Sequence, residues 1–266
     1  MSKRKWLAIS ALLVFAGAGL CVNAAEKKFP PVGLVGYWDF NEGRGNIIND
    51  QVGWIGKMKG FGSPKWVKNV SGYCMWIDNR EGGEPVYLEL PTHRVFGQKM
   101  ANGKTMNACG SLSLWAMPVD GGCVKPYMMP RDRRRAAVFY ATIMIRNFRW
   151  QYNVGDPMMR LSFHLQGPKV ESGKWTHVAG TWDGINTRLY VNGKLMRQPG
   201  GEVINNSISS GMPKDPFRIG LAYPWQKHNR YNGYLDELKY YSRVLTEEEI
   251  RKQYEEGREK VQITAN

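Results

Sequence analysis

Apolar and polar residues alternate through much of the chain, most clearly between residues 174 and 198. The run WTHVAGTW at 175–182 is rich in β-branched and aromatic residues, lacks proline and fits the two-residue period of a strand. Asp183-Gly184 and Asn192-Gly193 are tight-turn signals, and the runs that follow them, TRLYV and KLMRQ, fit a second and third strand. The pattern predicts an antiparallel meander.

The same alternation predicts further strands on both sides of this meander. They are LVGYWDF at 34–40, CMWID at 74–78, VYLEL at 86–90, SLSLWAM at 111–117, AAVFYATIMI at 136–145, FRWQYNV at 148–154, LSFHLQ at 161–166 and FRIGLA at 217–222. The segment 55–66 is ambiguous and is expected to include a short irregular strand. The loop NREGGEP at 79–85 fits a hairpin or a longer excursion.

One helix is expected near the C-terminus, in the run LTEEEIRKQYEEG at 245–257. Thr246 is placed to cap it, Glu249 completes a capping box and Gly257 is expected to terminate it. Together these patterns predict an all-β chain, a two-sheet antiparallel jelly-roll sandwich with a short C-terminal helix.

Four stretches of the chain follow the order of motifs in one known family. They are GLVGYWDFNEG at 33–43, GSLSLWAMP at 110–118, WTHVAGTWDG…LYVNGK at 175–194 and GYLDELKYYSRVLTEEEI at 233–250. They resemble the laminin-G-like jelly-roll domains of the concanavalin A-like lectin/glucanase superfamily. The resemblance spans about residues 33–257 and implies the fold. It does not fix the function, because that fold hosts lectins, glycosidases, lyases and adhesion modules.

The N-terminus has the three parts of a secretory signal. Lys3-Arg4-Lys5 precedes an apolar run at 6–20, and Val22-Asn23-Ala24 fits a cleavage site. The expected division is a signal peptide at 1–24, a leader at 25–32, one jelly-roll domain at 33–257 and a tail at 258–266.

Export to the periplasm, cell envelope or medium follows from this signal. The apolar run is short for a membrane span, which needs roughly 20 residues, and no later stretch is apolar enough to cross a bilayer. A lipoprotein signal at Cys21 is the second interpretation, since Ala18-Gly19-Leu20 lacks leucine at the third position before the cysteine.

The net charge is +14, and +11 once Lys3, Arg4 and Lys5 are removed. Solubility is the simplest explanation, while an acidic glycan or an anionic surface is the specific alternative. No RNP motif or recognition helix indicates nucleic-acid binding. The arginine run at 131–135 is typical of a solvated loop, although bidentate pairing would suit a sulfated or uronic-acid glycan.

Three cysteines remain after signal removal. Cys74 lies in a strand-like run and is expected to be buried and reduced, while Cys109 and Cys123 could pair if the chain between them folds back. No C-x-x-C pair indicates a zinc ribbon.

Catalytic motifs are missing from the sequence. There is no Glu-x-Asp-x-Glu strand of the glucanase type, no H-E-x-x-H and no G-x-S-x-G. Asp236 and Glu237 are adjacent, so in a regular strand they would point to opposite faces. The histidines, His93, His164, His177 and His228, are scattered. Non-catalytic recognition of a glycan or surface polymer is therefore preferred, with a carbohydrate-active enzyme or a structural, adhesive envelope protein as alternatives.

The resemblance also implies a structural calcium between the opening and closing strands. Asp236 is at the matching closing-strand position, and Asp39 and Asn41, with Glu42, supply oxygens at the opening strand. The alternative is that Asp236 accepts a hydrogen bond from a neighbouring backbone amide.

Carbohydrate binding is predicted from the aromatic residues. The tryptophans in strand patterns are expected in the core; they include Trp38, Trp76, Trp115, Trp175 and Trp182. Trp225 differs because it lies in a polar loop with Tyr223, His228 and Arg230. A flat ring beside hydrogen-bonding side chains is what a sugar requires, so these four residues form the predicted site. Tyr231, in the same loop, is expected to pack onto the sandwich edge.

Overall fold

The structure is a computed structural model, and it describes residues 33–80, 84–90, 109–119, 140–156, 161–183, 186–198, 203–204, 217–221 and 230–263. The strands within these ranges are β1 (Leu34–Trp38), β2 (Ile47–Ile48), β3 (Met58–Phe61), β4 (Lys65–Asn69), β5 (Gly72–Ile77), β6 (Tyr87–Leu90), β7 (Gly110–Pro118), β8 (Tyr140–Arg146), β9 (Arg149–Asp156), β10 (Leu161–Lys169), β11 (Thr176–Trp182), β12 (Asn186–Val191), β13 (Lys194–Leu195), β14 (Val203–Ile204), β15 (Phe217–Ile219) and β16 (Gly233–Tyr241). They are followed by one helix, α1 (Glu247–Gly257).

Nine strands form the large sheet, in the order β13-β12-β11-β7-β16-β5-β4, with β1 also on β16 and β14 also on β12. The closing strand β16 lies at its centre. It pairs with β7 along one edge, while its other edge is shared first by β5 and then by the opening strand β1. All of these pairings are antiparallel, as the hairpin signals predict.

Two smaller sheets, β15-β6-β3-β2 and β10-β9-β8, cover the inner face of the large sheet. The main core contains side chains from all three sheets, including Leu114 and Val178 of the large sheet, Leu88 of the four-stranded sheet and Trp150 of the three-stranded sheet. The contact is close, because the ring of Tyr152 lies against the backbone of Gly180. The predicted all-β sandwich with one short helix is confirmed.

Several predicted boundaries differ from those observed. The run KLMRQ contributes only Lys194–Leu195, since the chain leaves the ladder after the Met196 amide donates to the Leu189 carbonyl oxygen. The segment 55–66 contains the short strand β3, as expected, and β4 at 65–69 begins at its end. The 79–85 connection is not a hairpin, because β5 belongs to the large sheet and β6 to the four-stranded sheet.

Helix α1 begins and ends where its sequence predicts, but without a left-handed residue after its last turn. Thr246 accepts from the Glu249 amide while Glu249 accepts from the Thr246 amide, so the capping box is complete. Gly257 is the last helical residue, and Arg258 after it keeps a right-handed conformation. Glycine is needed instead for space: a Cβ on Gly257 would lie 2.4 Å from Nε1 of Trp115. Among the residues described, no helix is long and apolar enough to span a membrane.

The segment after α1 is attached to the β4–β5 turn. The Val70 and Ser71 amides donate to the carbonyl oxygens of Gln262 and Lys260, and Val261 is fully buried. The division of the chain at residues 24, 32 and 257 stays a prediction, since residues 1–32 lie outside the described ranges.

The Tyr152–Gly180 contact makes the sheet packing testable. A Cβ on Gly180 would lie 2.3 Å from the Tyr152 ring, so Gly180→Ala is expected to lower the free energy of unfolding by about 2–3 kcal/mol. Gly167→Ala is the matched control on the facing strand, where the nearest contact of an added Cβ is 3.2 Å and a small shift can absorb it. Urea unfolding of both variants measures the difference, and equal losses would contradict the predicted packing.

Candidate functional site

The outer face of the large sheet, opposite the core, is partly covered by α1. Leu245 and Ile250 pack there on Ala179 and Tyr190 and form a second, smaller hydrophobic cluster. The rest of this face carries polar and aromatic side chains, so chemistry-bearing residues concentrate beside the helix.

An aromatic row crosses the outer face beyond the end of α1. Trp76 of β5 pairs with Tyr234 of β16, which pairs with Met117 of β7, and Trp175 lies just before the next strand. The Trp76 and Tyr234 ring centroids are 4.4 Å apart, and those of Trp175 and Tyr234 are 6.3 Å apart. Trp76 is 7% exposed, and Tyr234 and Trp175 are half-buried. We call Trp76, Tyr234 and Trp175 the aromatic row.

A pocket of about 340 Å³ adjoins the row. It is lined by Gly62, Ser63, Lys65, Asp78, Arg80, Glu84 and Val86. Lys65 is the cross-strand partner of Trp76, and the Arg80 guanidinium lies 5.2 Å from the centre of the Trp76 ring. The row and the pocket therefore form one continuous surface.

Asp78 and Arg80 form a bidentate ion pair in this pocket. Arg80 Nε and Nη2 donate to the two carboxylate oxygens of Asp78 at 2.9 and 2.8 Å. This pairing is the largest cause that lowers the pKa of Asp78 to about 2, and a hydrogen bond from Trp76 contributes further. Asp78 is thus ionised at neutral pH, which suits a hydrogen-bond acceptor and not a general acid.

Polar atoms without partners lie next to the row. Among the described residues, the indole Nε1 of Trp175 and Nδ1 of His177 are buried without a hydrogen-bond partner. A buried polar atom without a partner is costly to the folded state.

His177 belongs to an aromatic stack under α1. Its ring lies 5.4 Å from that of Trp115 and 6.5 Å from that of Tyr254. Burial first, and then the positive charge of Lys239, lower the pKa of His177 to about 3. His177 is therefore neutral and packed at pH 7, in agreement with its interpretation as a strand residue.

Asp236 lies where β16 leaves β5 and meets β1. It is 1% exposed, and burial, followed by the charge of Glu237, raises its pKa well above the ordinary value. Its Oδ2 accepts from Asn69 Nδ2 at 2.7 Å and its Oδ1 from the Glu237 amide at 2.8 Å. The sequence left open whether Asp236 accepts a hydrogen bond from a neighbouring backbone amide. The Glu237 amide makes this hydrogen bond.

Glu237 breaks the expected alternation. The register between β16 and β7 shifts between Asp236 and Lys239, and Glu237 has a positive φ of 51°. Its carboxylate accepts from the Tyr37 hydroxyl at 2.6 Å and from Lys239 Nζ at 2.5 Å. The expectation that Asp236 and Glu237 point to opposite faces is wrong, because the bulge turns Glu237 toward these outer-face residues.

Oxygens of the predicted calcium ligands Asp39, Asn41 and Asp236 accept hydrogen bonds in this arrangement, while Oε2 of Glu42 is buried without a hydrogen-bond partner among the described residues. The Asp39 carboxylate accepts from Gln51 at 2.9 Å, and the Asn41 side-chain oxygen accepts from the Tyr73 amide at 2.8 Å. Each of these oxygens, like both of Asp236, already faces an N–H donor. In the part of the chain that the structure describes, no group of three or more His, Cys, Asp or Glu is placed to hold a metal ion. Calcium stays a prediction.

The predicted glycan-binding loop is mostly outside the described ranges. Tyr223, Trp225 and His228 fall there, and Arg230 is the first described residue after them. The backbone of Arg230 forms an antiparallel β-bridge with that of Leu221. Tyr231 is fully buried, as expected, and its hydroxyl donates to the Tyr234 carbonyl oxygen at 2.8 Å.

Four of the five tryptophans predicted in the core are buried. Trp38 and Trp182 are in the main core, Trp76 and Trp115 are buried on the outer face, and Trp175 is half-buried there. The signal was present in the alternation: Met75 and Ile77 are core residues, so Trp76 between them must face outward.

The cysteines agree with the sequence where they are described. Cys74 is buried and unbridged, and burial, with a smaller contribution from Asp236, raises its pKa to about 12. Cys109 is half-buried, with Sγ 3.6 Å from the Ser242 carbonyl oxygen. Cys123 lies outside the described residues, so its pairing stays open.

Comparison with known families decides the classification of this sandwich. Residues 102–251, more than half of the chain, match a laminin-G family model described as concanavalin A-like lectin/glucanases superfamily. The chain belongs to this superfamily. No curated protein sequence matches it.

Solved structures of similar fold include carbohydrate-related and toxin domains. One is domain 4 of AbnA, an extracellular GH43 arabinanase from Geobacillus stearothermophilus, in complex with arabinotriose; it has a TM-score of 0.57 at 16% identity, covering 82% of this chain and 97% of that one. Another is the binding domain of Paraclostridial mosquitocidal protein 1, with a TM-score of 0.59 at 14% identity over 84% and 52% of the two chains. A third is Trypanosoma rangeli sialidase, with a TM-score of 0.58 at 17% identity over 83% and 32%. Because these sequence identities are low, the similarity concerns the fold alone.

The buried, neutral His177 predicts an acid-dependent loss of stability. Its folded pKa of about 3 is below the unfolded value of 6.5, so between those pH values only the unfolded chain takes up the proton. Stability therefore falls as the pH drops below 6.5, by about 2 kcal/mol at pH 5 relative to pH 8. His177→Phe keeps an aromatic ring in the stack and removes the titration. The same pH dependence in wild type and His177→Phe, measured by urea unfolding, would contradict this.

Calcium can be tested separately. A structural calcium predicts a higher melting temperature in excess calcium than in EDTA, since a ligand that binds the folded state stabilises it. Superimposable melting curves in calcium and in EDTA would contradict the prediction that the folded protein binds calcium.

Proposed function

We propose that this protein is an exported, non-catalytic module that recognises carbohydrate on the outer face of its large sheet. The observation that carries the proposal is the aromatic row of Trp76, Tyr234 and Trp175, continuous with a pocket of charged side chains. Binding sites commonly combine apolar and aromatic surface with a few placed polar groups.

The dimensions favour an oligosaccharide over a single sugar. The ring centroids of Trp76 and Tyr234 are 4.4 Å apart and those of Tyr234 and Trp175 are 6.3 Å apart, so the row extends beyond the width of one ring. More than one sugar ring can lie along it, with the apolar C–H faces on the half-buried side chains of Tyr234 and Trp175. The Asp78–Arg80 pair supplies fixed acceptors and donors at the Trp76 end of the row.

The charge of the pocket favours an uncharged sugar at this site. Lys65 and Arg80 are balanced by Asp78 and Glu84 among the lining residues. Such a balanced set suits hydroxyl groups, which donate and accept, better than a polyanion. An acidic glycan stays the alternative that the overall basic charge supports.

The residues that follow the predicted loop site contact this surface, and we propose that the loop extends it. The chain following the loop is held by Asn79, whose side chain donates to the Tyr231 carbonyl oxygen at 2.7 Å and whose amide donates to the Asn232 side-chain oxygen at 3.3 Å. Asn79 lies between the pocket residues Asp78 and Arg80. We propose that Tyr223, Trp225, His228 and Arg230 contact the same glycan.

Among the residues that the structure describes, no arrangement of side chains favours catalysis. The pocket contains two carboxylates, Asp78 and Glu84, but Asp78 is held ionised by Arg80, which removes it as a proton donor. The likeness to an arabinanase domain in complex with arabinotriose supports a carbohydrate ligand for this fold. Export is supported by the N-terminal signal pattern in the sequence.

The proposal predicts the effect of removing the end of the row. Trp175→Ala is expected to weaken glycan binding about tenfold, a value taken from aromatic stacking on nucleic-acid bases at roughly 1–3 kcal/mol. The ligand is first identified by a glycan array, and affinity is then measured by calorimetry together with the melting temperature.

Trp66→Ala is the matched control. Trp66 is also a half-buried tryptophan, but it packs against the core and its indole donates to the Gly45 carbonyl oxygen. Trp66→Ala should lower the melting temperature and leave affinity unchanged. Loss of affinity in both variants, or in neither, would overturn the assignment of the site to the row.

Trp225 gives an independent prediction for the loop. If it stacks on the glycan, Trp225→Ala should reduce affinity and keep the melting temperature. Lower stability with unchanged affinity would assign Trp225 to the packed interior, where truncation of a tryptophan typically costs about 3–5 kcal/mol.

A further inference from the structure

The tip of the β8–β9 hairpin exposes an aromatic ring in a conformation that disfavours it. Asn147 and Phe148 have φ values of 52° and 57°, so they occupy both central positions of a turn that normally takes Asn-Gly. Phe148 is nevertheless 57% exposed. A positive φ is strained for phenylalanine, whereas glycine adopts it freely. The exposed side chain buries too little apolar surface to offset this strain. Strain of this kind is found at functional sites.

The tip is held firmly by the neighbouring strand. The Val170 amide donates to the Phe148 carbonyl oxygen at 2.8 Å, and Val170 packs against the main core. Arg149 pairs with Lys169 across the ladder, and its guanidinium donates to the Gly167 carbonyl oxygen at 3.1 Å. The exposed ring is therefore displayed by a fixed backbone, which lowers the entropy lost on binding.

The charges around the ring are mainly positive. Arg149 is half-buried and Lys169, its partner across the ladder, is exposed. The nearby acid, Glu171, is already paired with Lys174. An apolar ring surrounded by positive charges is complementary to a surface whose outer layer is negatively charged and whose interior is apolar.

We propose that the Phe148 tip anchors the protein to membrane surfaces that contain anionic phospholipid. The ring enters the boundary between headgroups and acyl chains, and Arg149 and Lys169 remain at the phosphate level. The shape favours a membrane over a glycan, because small ligands bind in concave sites whereas this ring stands on a convex hairpin tip. Such binding is weak for a single tip, so it is reversible.

Vesicle co-sedimentation tests the proposal with the mature full-length protein. Vesicles of phosphatidylcholine alone are compared with vesicles that contain roughly a quarter phosphatidylglycerol. Binding to the anionic vesicles only, weakened about tenfold by Phe148→Gly, is the expected result. Because glycine adopts a positive φ freely, Phe148→Gly should keep or raise the melting temperature, which separates binding from folding.

The control and charge variants sharpen this test. Val70→Ala removes an exposed apolar side chain from another turn and should bind like wild type. Lys169→Glu should weaken binding, as should high salt. Equal binding by wild type and Phe148→Gly, or no binding to anionic vesicles, would overturn the proposal. Binding to soluble heparin that does not depend on Phe148 and competes fully with the vesicles would overturn it in favour of an anionic glycan.

Discussion

The architecture depends on one buried carboxylate at the centre of the large sheet. Strand β16 pairs with β7 along one edge, but its other edge changes from β5 to β1 at Asp236. A strand cannot serve two partners on one edge without a local change in register, and the bulge at Asp236 and Glu237 supplies it. The hydrogen bonds from Asn69 and from the Glu237 amide satisfy the buried Asp236, so the junction is held at a defined point.

That junction fixes what the outer face can present. The strand residues before the bulge keep the register that places Tyr234 between Trp76 and Met117, and this creates the aromatic row. Beyond it, the face is closed by α1, whose Tyr254 and Gly257 pack on Trp115. The helix thus covers one part of the sheet and leaves the adjoining part for a ligand.

The two proposed surfaces have different charge and shape, and a short segment of chain connects them. The pocket beside the row has balanced charge and suits sugar hydroxyls, while the Phe148 tip is basic, convex and apolar at its end. Val170, which holds the tip, precedes Trp175 of the row by a short connection that is itself bonded to the end of β7 through Gly173 and Pro118. A protein held at an envelope surface by the tip would therefore bring its row near glycans of the same surface, and each weak contact would raise the effective concentration for the other.

The sequence by itself determined the elements that depend on neighbouring residues. Alternation and β-branched residues located β7, β11 and β12, the Asn192-Gly193 pair specified a turn with positive φ, and the Thr246–Glu249 box specified the start of α1. Only the tertiary structure decided which face of each strand became interior. Trp76 and Trp38 have similar sequence surroundings, yet one faces outward and the other lies in the core. The reason is that alternation assigns residues to two faces, but the packing of a second sheet or a helix decides which face is buried and how. The bulge at Glu237 and the use of Gly257 for close approach to Trp115 likewise arise from contacts between residues far apart in the chain.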